Sequence, residues 1–211
     1  MLGKFIIISS PSGGGKGTLI REVRGMMPEL GYSVSYTTRP QRFGEENGRE
    51  YHFVTREQFD RLINDGEFLE YAEVHGNLYG TSRRESEKMF QTGRDLIVEV
   101  DVQGAIQIMD RRPADSNISI FILPPSFDVL EARLTARRTE DEAELRTRLR
   151  NSFNEVQEYS RFKYVIINQD VSAASRQIAA IIIAERQLRD RQTDAIKGIL
   201  DSFDAFRHQY Q

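Results

Sequence analysis

The sequence predicts an α/β fold: a parallel sheet with helices on both faces, interrupted by an inserted mixed α+β subdomain. Three observations predict it. Short apolar runs alternate with helical stretches, as strands buried on both faces do. A glycine-rich loop joins the first apolar run to the first helix. From Ser33 to about Gly80 short strands, polar loops and a helix break the alternation. A chain of 211 residues suits one domain with insertions rather than several.

Taken in order, Lys4–Ser9 reads as a buried strand and Thr18–Met27 as the helix after it. Ser33–Thr38 and Tyr51–Val54 read as short strands on either side of a polar loop. Thr55–Asn64 is helical, with Thr55 as N-cap and Gln58 at the matching capping-box position. Phe68–Val74 is a strand and Ser82–Thr92 a helix. Asp95–Asp101 is an apolar strand ending in acids, followed by a helix over Val102–Arg111. Ile118–Leu123 is a strand stopped by two prolines. Phe127–Ala136 and Glu142–Tyr159 are helices, Tyr164–Ile167 a last strand, and a long C-terminal helix starts near Ala173. The expected division is a core of 1–32, 82–135 and 160–211, an insert of about 33–81 and a further helical segment of about 136–159.

Composition removes several function classes. Lys and Arg number 29 against 32 Asp and Glu, a net charge of −3, so no basic excess exists to displace phosphate counterions from a nucleic acid. The absence of cysteine removes disulfides, thiolate catalysis and Cys-based zinc sites. His52, His75 and His208 lie far apart without metal-ligand spacing. The apolar runs, such as Phe5–Ile8 and Ile178–Ala184, are too short to span a bilayer. The apolar N-terminus leads straight into the glycine loop, so it reads as a strand rather than a signal peptide, and a cytoplasmic location is expected.

The loop is Ser10-Pro-Ser-Gly-Gly-Gly-Lys16-Gly17-Thr18, between a strand and a helix, which is the context of a P-loop. Gly13, Gly14 and Gly15 allow successive N–H groups to converge on phosphate oxygens, and the helix N-terminus adds its dipole. Lys16 suits the β- and γ-phosphates. The segment from Ser12 through Gly17 and Thr18 is the expected seat of the ATP phosphates. It departs from G-x-x-x-x-G-K-[ST] at Ser10 and at Gly17, where a magnesium-binding hydroxyl would stand, with Thr18 one step later. The acids ending the 95–101 strand, Glu99 and Asp101, are candidates to hold magnesium or its waters, together with Thr18.

Ser33–Tyr51 reads S-V-S-Y-T-T-R-P-Q-R-F-G-E-E-N-G-R-E-Y; Glu70 follows, then G-N-L-Y-G-T-S at 76–82 and D-V-Q-G at 101–104. With the P-loop, these motifs resemble guanylate kinase over about Phe5 to Ala184. The resemblance implies phosphoryl transfer from ATP to GMP, giving ADP and GDP, with magnesium. It assigns Arg39 and Arg42, forked donors, to the monophosphate, with the hydroxyls of Tyr51 and Tyr79. Guanine presents N1–H and N2–H side by side, which one carboxylate accepts; adenine has a bare N1 that a carboxylate repels. By resemblance that carboxylate is Glu70. Ser35 and Thr81 would donate to guanine O6, and Asp101 would lie near the base or the metal.

The segment 133–150 holds Arg133, Arg137, Arg138, Arg146, Arg148 and Arg150. Several suit a solvated helix face with i,i+4 ion pairs. The family's R-G-T-E lid appears here as R-R-T-E at 137–140, with Arg138 in place of glycine. Arg137 and Arg148 match the family's arginines that close over the γ-phosphoryl group. Asn168 corresponds to the family's asparagine near the adenine of ATP. A phosphate nucleophile is already ionised at neutral pH, so no general base is required, and Lys16, Arg39, Arg137 and Arg148 would balance charge. The readings weighed against this are a non-catalytic guanylate-kinase-like binding module and a kinase for another nucleotide such as AMP. Lys16 and the three glycines speak against the first; Glu70, Ser35 and Thr81 against the second. Ile196, Ile199, Leu200, Phe203 and Phe206 form a helical stripe, read either as packing on the body or as a contact in a homo-oligomer.

Overall fold

The computed structural model describes residues 3–136 and 142–207. Five parallel strands make the main sheet: β1 (Phe5–Ser9), β2 (Gly31–Ser33), β7 (Leu96–Glu99), β8 (Asn117–Leu123) and β9 (Tyr164–Ile167), in the order β2-β7-β1-β8-β9. Alternation along β1 assigns its side chains to the two faces. Ile6 and Ile8 pack with Leu19, Ile20 and Val23 of α1 (Lys16–Met26) and with Ile178 and Ile182 of α7 (Val171–Arg186). Phe5 and Ile7 pack the other way, with Val102, Ala105 and Ile108 of α4 (Val102–Arg111). Both faces are covered, which is why these strands read as continuous apolar runs.

A second sheet, β4-β3-β6-β5, is built from β3 (Tyr36–Thr37), β4 (His52–Phe53), β5 (Phe68–Val74) and β6 (Asn77–Ser82). Its small core is Phe59 of α2 (Arg56–Asn64) with Phe68 and Leu78. The capping box at Thr55 and Gln58 is present: each side chain bonds the other's backbone N–H. β5 and β6 are antiparallel with an irregular register between Phe68 and Glu70, which sets Glu70 opposite Thr81.

The remaining helices are α3 (Arg83–Gln91), α5 (Phe127–Thr135), α6 (Glu142–Glu155) and α8 (Thr193–Phe206). Four details differ from the sequence expectation. The strand expected over 33–38 is split, because Ser33 belongs to the main sheet and Tyr36–Thr37 to the second. Asn77–Ser82, read only as a motif, is a strand paired with both β3 and β5. The helix expected over 142–159 ends at Glu155 and continues as a 3₁₀ helix over Val156–Arg161. The single C-terminal helix is broken after Arg186: Arg191 bonds Asp95 and Gln192 bonds the Arg186 carbonyl, which turns the chain before α8. No residue of α8 is buried, and Phe203 is 73% exposed, so the stripe does not pack on the described body. No helix among the described residues is long and apolar enough to cross a membrane.

Candidate active site

β1 ends at buried Ser9, and the chain turns back through Gly13 (φ 85°) and Gly15 (φ 90°) before α1 begins at Lys16. Only glycine enters this left-handed region without strain. A close approach matters as much. A Cβ on Gly13 would stand 3.0 Å from Leu134 Cγ of α5, and one on Gly15 would overlap the Asn168 amide. Asn168 Nδ2 donates to the Gly14 carbonyl at 2.9 Å, and Arg133 donates to the carbonyls of Asn168 (2.9 Å) and Gly14 (3.4 Å). These contacts fix the loop from beneath.

Lys16 Nζ donates to the Val100 carbonyl at 2.6 Å, at the end of the neighbouring strand β7. Glu99, at that same end, accepts from Tyr32 Oη at 3.0 Å. A Cβ on Gly17 would lie 3.5 Å from Glu99 Oε1. Asp101 caps α4 by accepting the Gly104 N–H at 2.8 Å, and burial raises its pKa.

Across the cleft, the second sheet presents the acceptor side. Arg39 Nη2 donates to both carboxylate oxygens of Glu45, at 2.8 and 3.1 Å, and the Arg42 N–H donates to the same carboxylate at 2.8 Å. The Arg39 guanidinium lies 5.4 Å from the centre of the Tyr51 ring, which meets Tyr79 edge-on at 5.9 Å. Glu70 is 3% exposed and accepts the Thr81 hydroxyl at 2.6 Å. Burial pushes its pKa up to about 7, against the opposing pull of that hydrogen bond.

One cleft of about 300 Å³ joins both sides. It is lined by the loop from Ser12 to Gly17, Ser35, Arg39, Arg42, Tyr51, Glu70, Tyr79, Glu99, Asp101 and Arg148. Three expected site residues stand off its surface. Thr81 lies behind Glu70, and Asn168 lies under the loop with its amide committed to Gly14 rather than lining the cleft. Thr18 is exposed on α1. Arg137 and Arg138 lie outside the described residues. Sequence reasoning missed Glu45, Arg133, His75 and Glu155. Glu45 carried a faint signal, an acid three places after Arg42 in a loop of mixed charge. Arg133 was one arginine among six, and nothing local marks His75 or Glu155 as facing the cleft.

Known proteins resemble this chain over most of its length. The guanylate kinase family model matches residues 2–185. A guanylate kinase of Mesorhizobium japonicum is 43% identical over 202 residues, covering 94% of this chain and 92% of its own. One from Aliivibrio fischeri is 44% identical over 202 residues, covering 95% and 97%. The crystal structure of guanylate kinase from Anaplasma phagocytophilum superposes with a TM-score of 0.75 at 34% identity, covering 90% of this chain and 89% of that one.

Proposed function

The chain belongs to the guanylate kinase family, and from that premise we propose how its residues pass the γ-phosphoryl group of ATP to GMP, giving ADP and GDP. The observation that carries the proposal is the shared cleft: a phosphate loop with its lysine faces a buried carboxylate and two arginines. A non-catalytic binding module has no need of Lys16 poised on this loop.

Gly13 through Gly17 hold the donor phosphates with backbone N–H groups, and Lys16 leaves the Val100 carbonyl to reach the β- and γ-oxygens. Arg39 and Arg42 bind the monophosphate with Tyr51 and Tyr79; Glu45 holds Arg39 in place beforehand, so less side-chain entropy is lost on binding. Glu70, held from behind by the Thr81 hydroxyl, accepts guanine N1–H and N2–H, with Ser35 and Asp101 around the base. Arg148, and Arg137 of the lid, spread over the transferring group as its charge disperses. Closure of the insert (about 33–81) and lid (about 136–159) on the core excludes water, which would otherwise take the phosphoryl group.

Magnesium fits a site of limited protein contribution. Among the described residues no group of three or more acids or histidines could cage a metal. A magnesium ion bound through one or two carboxylates plus substrate phosphates needs no such cage. Glu99, beside the side-chain-free Gly17, would serve, with Asp101 through water; Thr18, turned away from the cleft on α1, would not. When bound, the metal neutralises charge on the ATP phosphates.

ADP formation from ATP, with GMP and AMP offered separately to wild type and Glu70→Gln, tests the reading. Turnover with GMP alone, weakened in the variant, is expected. Equal turnover with AMP would overturn the assignment of Glu70 as guanine reader.

A further inference from the structure

Two residues of α6 grip the phosphate loop at one place. Glu155 Oε2 accepts the Ser12 N–H at 2.9 Å, and Arg148 Nε donates to Ser12 Oγ at 3.0 Å. They stand about two helical turns apart, on one face of α6. Both line the cleft that also holds Lys16 and Asp101.

We propose that Glu155 is a positioning residue: with Arg148 it clasps Ser12, so that α6 turns about a fixed point on the phosphate loop and delivers Arg148 to the transferring phosphoryl group. The proposal rests on the role given above to Arg148. The physical case starts from cost. A carboxylate withdrawn from water beside Asp101 is unfavourable, and burial does raise the Glu155 pKa. The Ser12 N–H, Lys16 and Arg148 offset that cost only while the carboxylate stays at the loop. The Arg148 contact on Ser12 is to a neutral hydroxyl, which it can exchange for a charged phosphate oxygen, since hydrogen bonds to charged groups are the stronger. The two grips therefore differ in kind. The Glu155 end is a backbone contact that closure need not break, whereas the Arg148 end is a contact made to be exchanged. Rotation about the first carries the second.

The test compares kcat and both KM values for Glu155→Gln, Glu155→Asp, Glu155→Ala, Arg148→Ala and the double Ala variant, with melting temperatures alongside. Gln keeps an acceptor at the same reach, whereas Asp keeps the charge but is one methylene short. Glu155→Gln is expected near wild-type kcat, and Glu155→Asp and Glu155→Ala to lose about 10- to 100-fold in kcat with GMP KM unchanged. Losses in the double variant should fall short of the product of the single ones. If Glu155→Asp matches wild type while Glu155→Gln fails, charge rather than reach matters and the clasp is overturned. A loss in Arg148→Ala beside wild-type kcat in Glu155→Asp and Glu155→Ala overturns the clasp alone. Wild-type kcat in Arg148→Ala overturns the Arg148 reading itself, and the clasp with it. Should Glu155→Ala not fold, the Gln and Asp pair decides.

Discussion

Gly104 lies hard against Glu70: a Cβ on Gly104 would clash with Glu70 Oε2 and stand 2.9 Å from its Cδ and 3.0 Å from Asp101 Oδ1. The absent side chain of one helix is the space that the buried Glu70 carboxylate occupies. Alanine at 104 would gain about 1 kcal/mol of helix propensity. Overpacking against Glu70 would cost about 1–3 kcal/mol. Gly104→Ala is therefore expected to melt within a few degrees of wild type while its GMP KM rises about tenfold and its ATP KM holds, as steady-state kinetics would read.

As the proposed guanine acceptor, Glu70 should make GMP use depend on pH. Its pKa near 7 means that below neutrality the empty protein carries a protonated acid, which cannot accept both guanine donors. GMP KM should rise by up to about tenfold per pH unit below 7, and less steeply above it. The stability sign is the reverse. The folded pKa lies above the ordinary 4.5, so stability is fullest below that value and declines as pH rises through about 7. Thermal melts from pH 4.5 to 8 should show the decline without GMP, and Glu70→Gln should flatten it.

Gly15→Ala places a side chain at φ 90° and against the Asn168 amide. The left-handed backbone alone costs about 1–2 kcal/mol, and the displaced Asn168 loosens the Gly14 carbonyl it holds. ATP affinity measured by calorimetry should fall about tenfold or more, with GMP affinity little changed.

Lys16→Ala removes one hydrogen bond, to the Val100 carbonyl, from the resting protein. Its cost to folding is small, about 1 kcal/mol. Its cost to transfer should be about 10²- to 10³-fold in kcat, the scale for losing one preorganised donor to developing charge. Turnover near wild type in a folded variant would refute the assigned role.

Asp95 offers a contrast, at the opposite end of β7 from the cleft. It is 4% exposed and accepts from Arg186 (2.8 Å), Arg191 (2.8 Å) and the Lys4 N–H (2.9 Å). Burial alone would raise its pKa, but these partners outweigh it and hold the carboxyl below its ordinary value. Its contribution to stability is therefore present above the ordinary carboxylate pKa and lost as pH falls through the depressed one. Asp95→Ala should cost about 1–3 kcal/mol in denaturant melts, because two half-buried arginines and the Lys4 N–H lose a shared acceptor, while Arg186 keeps Glu29. kcat of the folded fraction should hold.

Local spacing was enough for much of this molecule. The run Phe5–Ser9, the three glycines and Lys16 lie within a dozen residues, so strand, phosphate loop and helix could be read together. The Thr55–Gln58 capping box and the bounds of α4 and β9 followed from the same short-range rules. The break after Arg186 could not: it depends on Arg191 reaching Asp95, 96 positions away. Nor could β6, whose polar, glycine-containing run is held by strands on both sides rather than by its own propensity.

The sequence by itself determined the α/β class, the phosphate loop and the family, because backbone periodicity, glycine's freedom and ordered motifs are written along the chain. Only the tertiary structure decided which side chains share the cleft and what state they are in. Asn168 lies under the loop at Gly14, Gly104 makes room for Glu70, and Glu155 meets Ser12 across 143 positions. The reason is physical: hydrogen bonds, close approach and desolvation depend on distance in space, and packing brings those distances about after the local elements have formed.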